Sequence, residues 1–277
     1  MKVGIRPSAL LLWLLLGACS RAQTDSASAV SAPPVAGTEA QSSAPPSADI
    51  PSDAAAVADD PRPRALRRLV PDDDPDAGNA APTGLVPDCE QQLEGAGVTF
   101  RAAVAPVHVK PGSTTRCGAP QVVTYVAGPG KFAYEPAPLV TCALALALAS
   151  FARIVEEEAD RAFHSPVVRV QQIGTYNCRE IVAVRGLPSE HSFANAIDLT
   201  RFTLADGRTI SVLNDFDMAE APPARPAGAF LRAISERAHY EDVFSNVLTA
   251  FWDPAHKSHF HLDLARYRVN GVKRRDL

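Results

Sequence analysis

Cysteine pairs spaced C-x-x-C are absent from the 277 residues, which excludes the thiolate zinc clusters and thioredoxin-like redox motifs that need that spacing. Aromatic residues make up only 6% of the chain, and residues 20–84 contain none. That segment also lacks cysteine, and Ala, Ser, Asp and ten of the 24 prolines dominate it. It holds too little apolar surface to repay the entropy of ordering, so a disordered tether is expected there. No hydrophobic run is long enough to span a bilayer as a mature helix. An excess of positive charge is missing as well: the formal net charge is −4, and the tether's ten acids against five arginines supply most of it. The folded remainder is close to neutral, which excludes the concentrated basic face of a nucleic-acid-binding protein. No internal repeat is evident.

What is present begins with a leader over residues 1–19. Lys2 and Arg6 precede Leu10-Leu11-Leu12-Trp13-Leu14-Leu15-Leu16 and then Gly17-Ala18-Cys19, the layout of a signal peptide. The ending resembles a bacterial lipobox. That resemblance implies a diacylated Cys19 as the new amino terminus, and Ser20 after it implies sorting to the outer membrane of a Gram-negative cell. The chain would then be anchored to the membrane without spanning it; an ordinary signal peptide with a coincidental cysteine is the alternative. The tether would have a coil dimension of roughly 45 Å, which suits an enzyme reaching from an anchor into a polymer layer. Its block Arg62, Arg64, Arg67, Arg68 followed by Asp72, Asp73 and Asp74 reads as solvated chain.

Residues 85–277 have a globular composition and are numerous enough for one domain with a sizeable core. Cys89, Cys117, Cys142 and Cys178 are an even set in an exported domain, which predicts two disulfides; three pairings are open. A helix is expected over 139–159, a strand over 167–173 and a turn over 174–179. Strands follow over 196–204 and 209–212, joined by a hairpin turn at Asp206-Gly207. A helix over 226–238 and a last strand over 259–264 complete an α+β fold.

Five of the seven histidines fall in the last third of the chain. His191 and Asp198 stand seven apart, and a distant His259-Phe260-His261 answers them. Around His261 the residues Phe260, Leu262 and Leu264 alternate with His259, His261 and Asp263. A strand with that period of two buries the apolar set and turns both histidines and the acid to the other face. Two imidazoles and one carboxylate leave a coordination position open, as in a catalytic rather than a structural zinc site.

The stretches Ile173-Gly-Thr-Tyr-Asn-Cys-Arg179, Leu187-Pro-Ser-Glu-His191, Ala196-Ile-Asp198, Leu204-Ala-Asp-Gly-Arg-Thr-Ile-Ser211 and His259-Phe-His-Leu-Asp263 resemble the bacterial extensin-like C-terminal domain. The similarity covers Cys89 to about Leu264 and is similar in turn to the zinc D-Ala-D-Ala peptidase superfamily, with its murein endopeptidases and the hedgehog signalling domain. That superfamily's pattern is S-x-H-x-x-G-x-A-x-D followed by a late His. The resemblance implies a small antiparallel sheet with packed helices, and zinc held by His191, Asp198 and His261. It also implies a catalytic His259, a further His256 as in the endopeptidases, and Arg179 contacting a substrate carboxylate or oxyanion. Ala194 takes the place of the Gly, which fits if its backbone angle is ordinary. Ser258 takes the place where many members have a Glu base, so His259 or His256 would receive the proton.

Five further residues carry two readings each. Ser189 and Glu190 either orient the His191 loop or form a solvated turn. Asp263 either orients a ligand imidazole or is a surface acid, and Phe251 and Trp252 either wall a cleft or pack in the core. The expected function is a lipid-anchored periplasmic zinc peptidase acting on peptidoglycan peptides, with a catalytically silent peptidoglycan-binding lipoprotein as the alternative.

Overall fold

The computed structural model describes residues 85–274 apart from 183 and 220. The leader, Cys19 and the tether lie outside the described residues. A short helix α1 (Cys89–Gly95) leads into two long paired strands, β1 (Thr99–Val109) and β2 (Arg116–Ala127). Two short strands, β3 (Ala133–Glu135) and β4 (Leu139–Thr141), precede the long helix α2 (Cys142–Phe163). Then come β5 (Val167–Gly174), the hairpin β6 (Glu180–Ile181) and β7 (Val184–Pro188), and β8 (Ala196–Leu204) with β9 (Thr209–Ser211). One-turn α3 (Val212–Asp215), α4 (Pro226–Tyr240), β10 (Asn246–Leu248) and β11 (Phe260–Asp263) close the domain.

The expected helix over 139–159 is displaced. Its first three residues pair with β2 as β4, and the Thr141 hydroxyl accepts from the Leu144 backbone N–H at 3.2 Å. That side-chain cap satisfies a free N–H of the first turn and fixes the start of α2 at Cys142. Ala and Leu then carry the helix without a Gly or Pro until His164, whose left-handed backbone ends it. Leu144, Leu148, Phe151 and Val155, spaced three or four apart, are buried against the core.

A six-stranded sheet ordered β10-β11-β8-β5-β3, with β9 on β8, forms the centre, and its β3–β5 pair is parallel. The small antiparallel sheet expected from the resemblance is therefore a larger mixed one, accompanied by the separate sheet β1-β2-β4. Val167, Val170, Ile197, Leu199, Phe202, Phe260 and Leu262 share a core with α2 and α4, where Phe202 meets Phe230 edge-on at 5.4 Å. Among the described residues no helix is long and apolar enough to cross a membrane.

The disulfides are Cys89–Cys142, tying α1 to α2, and Cys117–Cys178, tying β2 to the segment before β6. They span separations of 53 and 61 residues, so each removes about 4 kcal/mol of unfolded-chain freedom in the loop-entropy account. Thiol titration of denatured, unreduced residues 85–277 is expected to find essentially no free thiol, and two or more would refute the pairing.

Candidate metal centre

Antiparallel pairing of β8 with β11 sets Asp198 opposite His261, Ile197 opposite Leu262 and Leu199 opposite Phe260. Residues directly opposite share a face, so the strand pair delivers one carboxylate and one imidazole to the same side. The apolar neighbours go the other way, into the core. This is the alternation the sequence predicts.

His191 arrives from a single 3-10 turn, Glu190–Phe193, immediately before β8. Ser189 caps that turn, and Asn195 Nδ2 donates to the Glu190 carboxylate at 2.8 Å. Both Ser189 and Glu190 are buried, which decides for orienting residues over a solvated turn. A second set of bonds holds the turn from the side: Asn177 N–H donates to the His191 carbonyl at 3.0 Å, and the Ser192 hydroxyl donates to the Arg179 carbonyl at 2.6 Å. The Cys117–Cys178 bridge lies within this same segment. The backbone angle expected to be ordinary at Ala194 is not: φ is 53°, in the left-handed region. Such a residue costs about 1–2 kcal/mol when it has a Cβ. Bonds on both sides, including Thr141 N–H to the Ala194 carbonyl at 2.8 Å, hold it there.

The three side chains converge. His191 Nε2 lies 3.1 Å from His261 Nδ1 and 3.3 Å from Asp198 Oδ2, and His261 Nδ1 lies 3.1 Å from Asp198 Oδ1. The outer nitrogens have partners that can only accept. His191 Nδ1 faces the Thr175 carbonyl at 2.8 Å, and His261 Nε2 faces Asp263 Oδ2 at 3.0 Å. Both outer nitrogens must therefore carry the proton, and both inner ones present lone pairs when the rings are neutral. Asp263 is buried and is itself held by Asn246 Nδ2 and the Ala265 N–H, so it is an orienting acid and not a surface one.

Two nitrogens and a carboxylate pressed this close need a positive charge among them, supplied by a proton on His261 Nδ1 in the metal-free molecule or by a metal cation that replaces it. Tetrahedral zinc bonds of about 2.0–2.1 Å would put neighbouring ligand atoms roughly 3.3–3.4 Å apart, close to the observed spacings. The residues fit a zinc ion. Their electrostatics agree. Burial pushes the Asp198 carboxyl up, but hydrogen bonds and charge from His191 and His261 outweigh it and hold the group well below the usual carboxylate range. Burial disfavours charge on His261, yet its bonds to Asp198 and Asp263 push its pKa up to about 9. A second proximity group, His108 with Cys117 and Cys178, has its thiolates consumed by the disulfide.

Two more imidazoles border the cluster. His259 Nε2 is 3.8 Å from Asp198 Oδ1, and its Nδ1 is 3.3 Å from the Ser258 hydroxyl. The His256 ring is centred 5.3 Å from that of His259 and 5.9 Å from that of His261. Burial holds the pKa of both below the ordinary His value, so both favour the proton-accepting form at neutral pH. The sequence brings these five residues together from three separate segments.

Residues 87–273, well over half of the chain, match the family described as Extensin-like protein C-terminus. The chain belongs to that family. No curated protein and no solved structure matches it.

Within the extensin-like domain, Arg179 is the one expected site residue whose side chain makes no hydrogen bond, ion pair or ring contact with the cluster. Its guanidinium donates to the Glu180 carbonyl at 3.2 Å, and its backbone, not its side chain, binds the His191 turn. Phe251 is buried against Phe216 at 5.2 Å and belongs to the core, while Trp252 is half-buried. Asp206-Gly207 is a hairpin turn, with Gly207 at φ 87°. Three contributors escape sequence reading. Gly174 ends β5 opposite Asp198, where a Cβ would lie 3.3 Å from Asp198 Oδ2, and Ser192 braces the turn. The third is Asp253, hydrogen-bonded to His256 at 2.7 Å. Only its position three residues before a histidine could have drawn notice.

Proposed function

We propose that the extensin-like domain is a zinc-dependent peptidase acting on amide bonds of peptidoglycan stem peptides or cross-links. The observation that carries this reading is the convergence of His191 Nε2, His261 Nδ1 and the Asp198 carboxylate within 3.3 Å of one another, beside the imidazoles of His256 and His259. Zinc held by these three residues would act as a Lewis acid on the scissile carbonyl and lower the pKa of water toward about 7. Thr175 and Asp263 keep the ligand tautomers fixed, Gly174 leaves space beside Asp198, and His256 or His259 receives the proton. The substrate class rests on the resemblance to zinc D-Ala-D-Ala peptidases and murein endopeptidases, and with it a fold like theirs. Digestion of purified muropeptides with and without chelator tests the reading. Cleavage is expected to stop with chelator and return with zinc; no cleavage between pH 5 and 9 by zinc-loaded protein would overturn it.

One observation favours a second reading. Ser258 offers no carboxylate where many of the peptidases it resembles have a Glu, which suits a silent zinc-containing domain that binds peptidoglycan. Muropeptide binding without turnover would identify it.

The leader supports placing the domain in the periplasm, anchored through lipid on Cys19 to the outer membrane. Cys19→Ser is expected to release the protein from the membrane fraction or block its maturation. Unaltered fractionation, with no lipid mass on the wild type, would rule this out.

A further inference from the structure

We propose that Asp253 is a positioning residue for catalysis: its carboxylate fixes His256 as the Nδ1–H tautomer and leaves Nε2 as the site's proton acceptor. The inference rests on the hydrolase reading above and adds to it a residue and a division of labour. Asp253 precedes Pro254, and its backbone is extended at φ −163° and ψ 166°, as a residue before proline prefers. A 3-10 turn, Pro254–His256, follows. A single oxygen, Asp253 Oδ1, accepts from the Ala255 N–H at 2.8 Å, from the His256 N–H at 3.2 Å and from His256 Nδ1 at 2.7 Å. The same carboxylate thus caps the turn and orients the ring that the turn delivers.

The chemistry follows from the partner's nature. A carboxylate can only accept, so the shared proton sits on Nδ1 and Nε2 keeps its lone pair. His259 is not fixed in this way: the Ser258 hydroxyl beside its Nδ1 can donate or accept. Of the two bordering imidazoles, only His256 has its tautomer dictated. In hydrolysis, Nε2 takes a proton from the attacking water as the new C–O bond forms. It returns that proton to the departing nitrogen as the C–N bond breaks, giving carboxylic acid and amine with the ring neutral again. Asp253 touches none of the reacting atoms.

Two substitutions separate orienting from capping. Serine caps a turn about as well as aspartate, but its short hydroxyl does not reach the imidazole. Asparagine keeps an acceptor oxygen in the same place. Asp253→Ser is expected to lower kcat on a muropeptide by about 10- to 100-fold, the usual loss on removing an orienting partner. KM, zinc content and melting temperature should stay close to wild type, and Asp253→Asn should retain most of kcat. Nitrogen-15 NMR of the histidine side chains supplies a readout that needs no activity. Wild type should show His256 protonated at Nδ1, and Asp253→Ser a shift toward a mixture of tautomers. A wild-type His256 protonated at Nε2 overturns the proposal, as does Asp253→Ser protein with unchanged tautomer or full kcat. If wild type cleaves nothing, the hydrolase reading fails, and the NMR result still decides whether Asp253 sets the tautomer.

Discussion

Replacing His191 or His261 with alanine is expected to abolish stoichiometric zinc and, with it, all peptide cleavage. Each side chain supplies one of the two ring nitrogens that face each other at 3.1 Å, and two remaining ligands are too few for a tightly held zinc. Elemental analysis of wild type should find one zinc per chain; no metal there, or unchanged zinc in either variant, would remove the basis of the site. Affinity should depend on pH with a defined sign. His261 in the metal-free protein is raised to about 9, so its proton must leave when zinc binds. Below that value apparent affinity should rise by about tenfold per pH unit. The stability of the metal-free protein responds oppositely at the two ends. His261 has a folded pKa above its ordinary 6.5, so its contribution is complete below that value and is lost as pH rises toward about 9. Asp198 has a folded pKa below its ordinary 3.8, so its contribution is present above that value and is lost as pH falls. Chelated protein should therefore melt highest between these limits, and added zinc should stabilise most on the alkaline side.

The next largest effect is expected at His256. His256→Ala should keep its zinc yet lose about 100- to 10,000-fold in kcat, the range over which a positioned acid–base group contributes. Zinc should be retained because the ring is not among the converging ligands: its Nδ1 is taken by Asp253. His259→Ala should also keep zinc and lose less activity. If instead it loses the metal, His259 is a ligand, and the 3.8 Å separation from Asp198 Oδ1 understates its role. Wild-type kcat in His256→Ala would assign the proton to His259. Comparing the two variants at equal zinc content makes the test decisive.

Much of the site was legible because strand geometry is periodic. Alternation around Asp198 and His261 follows from a repeat of two residues, and the structure places both on one face, opposite each other. Local chemistry was less legible where it depended on partners far away in sequence. Residues 139–141 carry the same apolar composition as the helix after them, yet pairing with β2 makes them a strand. The strand β1 carries little sequence signal because it is an exposed edge with little alternation. Ala194 gave no sign of its left-handed angle, since only the bonds around the turn impose it. Arg179 matched a motif by spacing, but a spacing does not say where a long side chain ends.

The sequence by itself determined the α+β class, the family resemblance, the even set of domain cysteines and the identity of the candidate ligands. These follow from composition, residue type and short-range period, which the chain carries before it folds. The tertiary structure decided which cysteines pair and which nitrogens of His191 and His261 face inward. It also decided between the two readings of Asp263, as a buried partner of His261 rather than a surface acid, and gave Asp253 a role. These are matters of a few ångströms between segments distant in the chain, and only the packed fold brings a carbonyl such as that of Thr175 to the imidazole nitrogen whose proton it accepts.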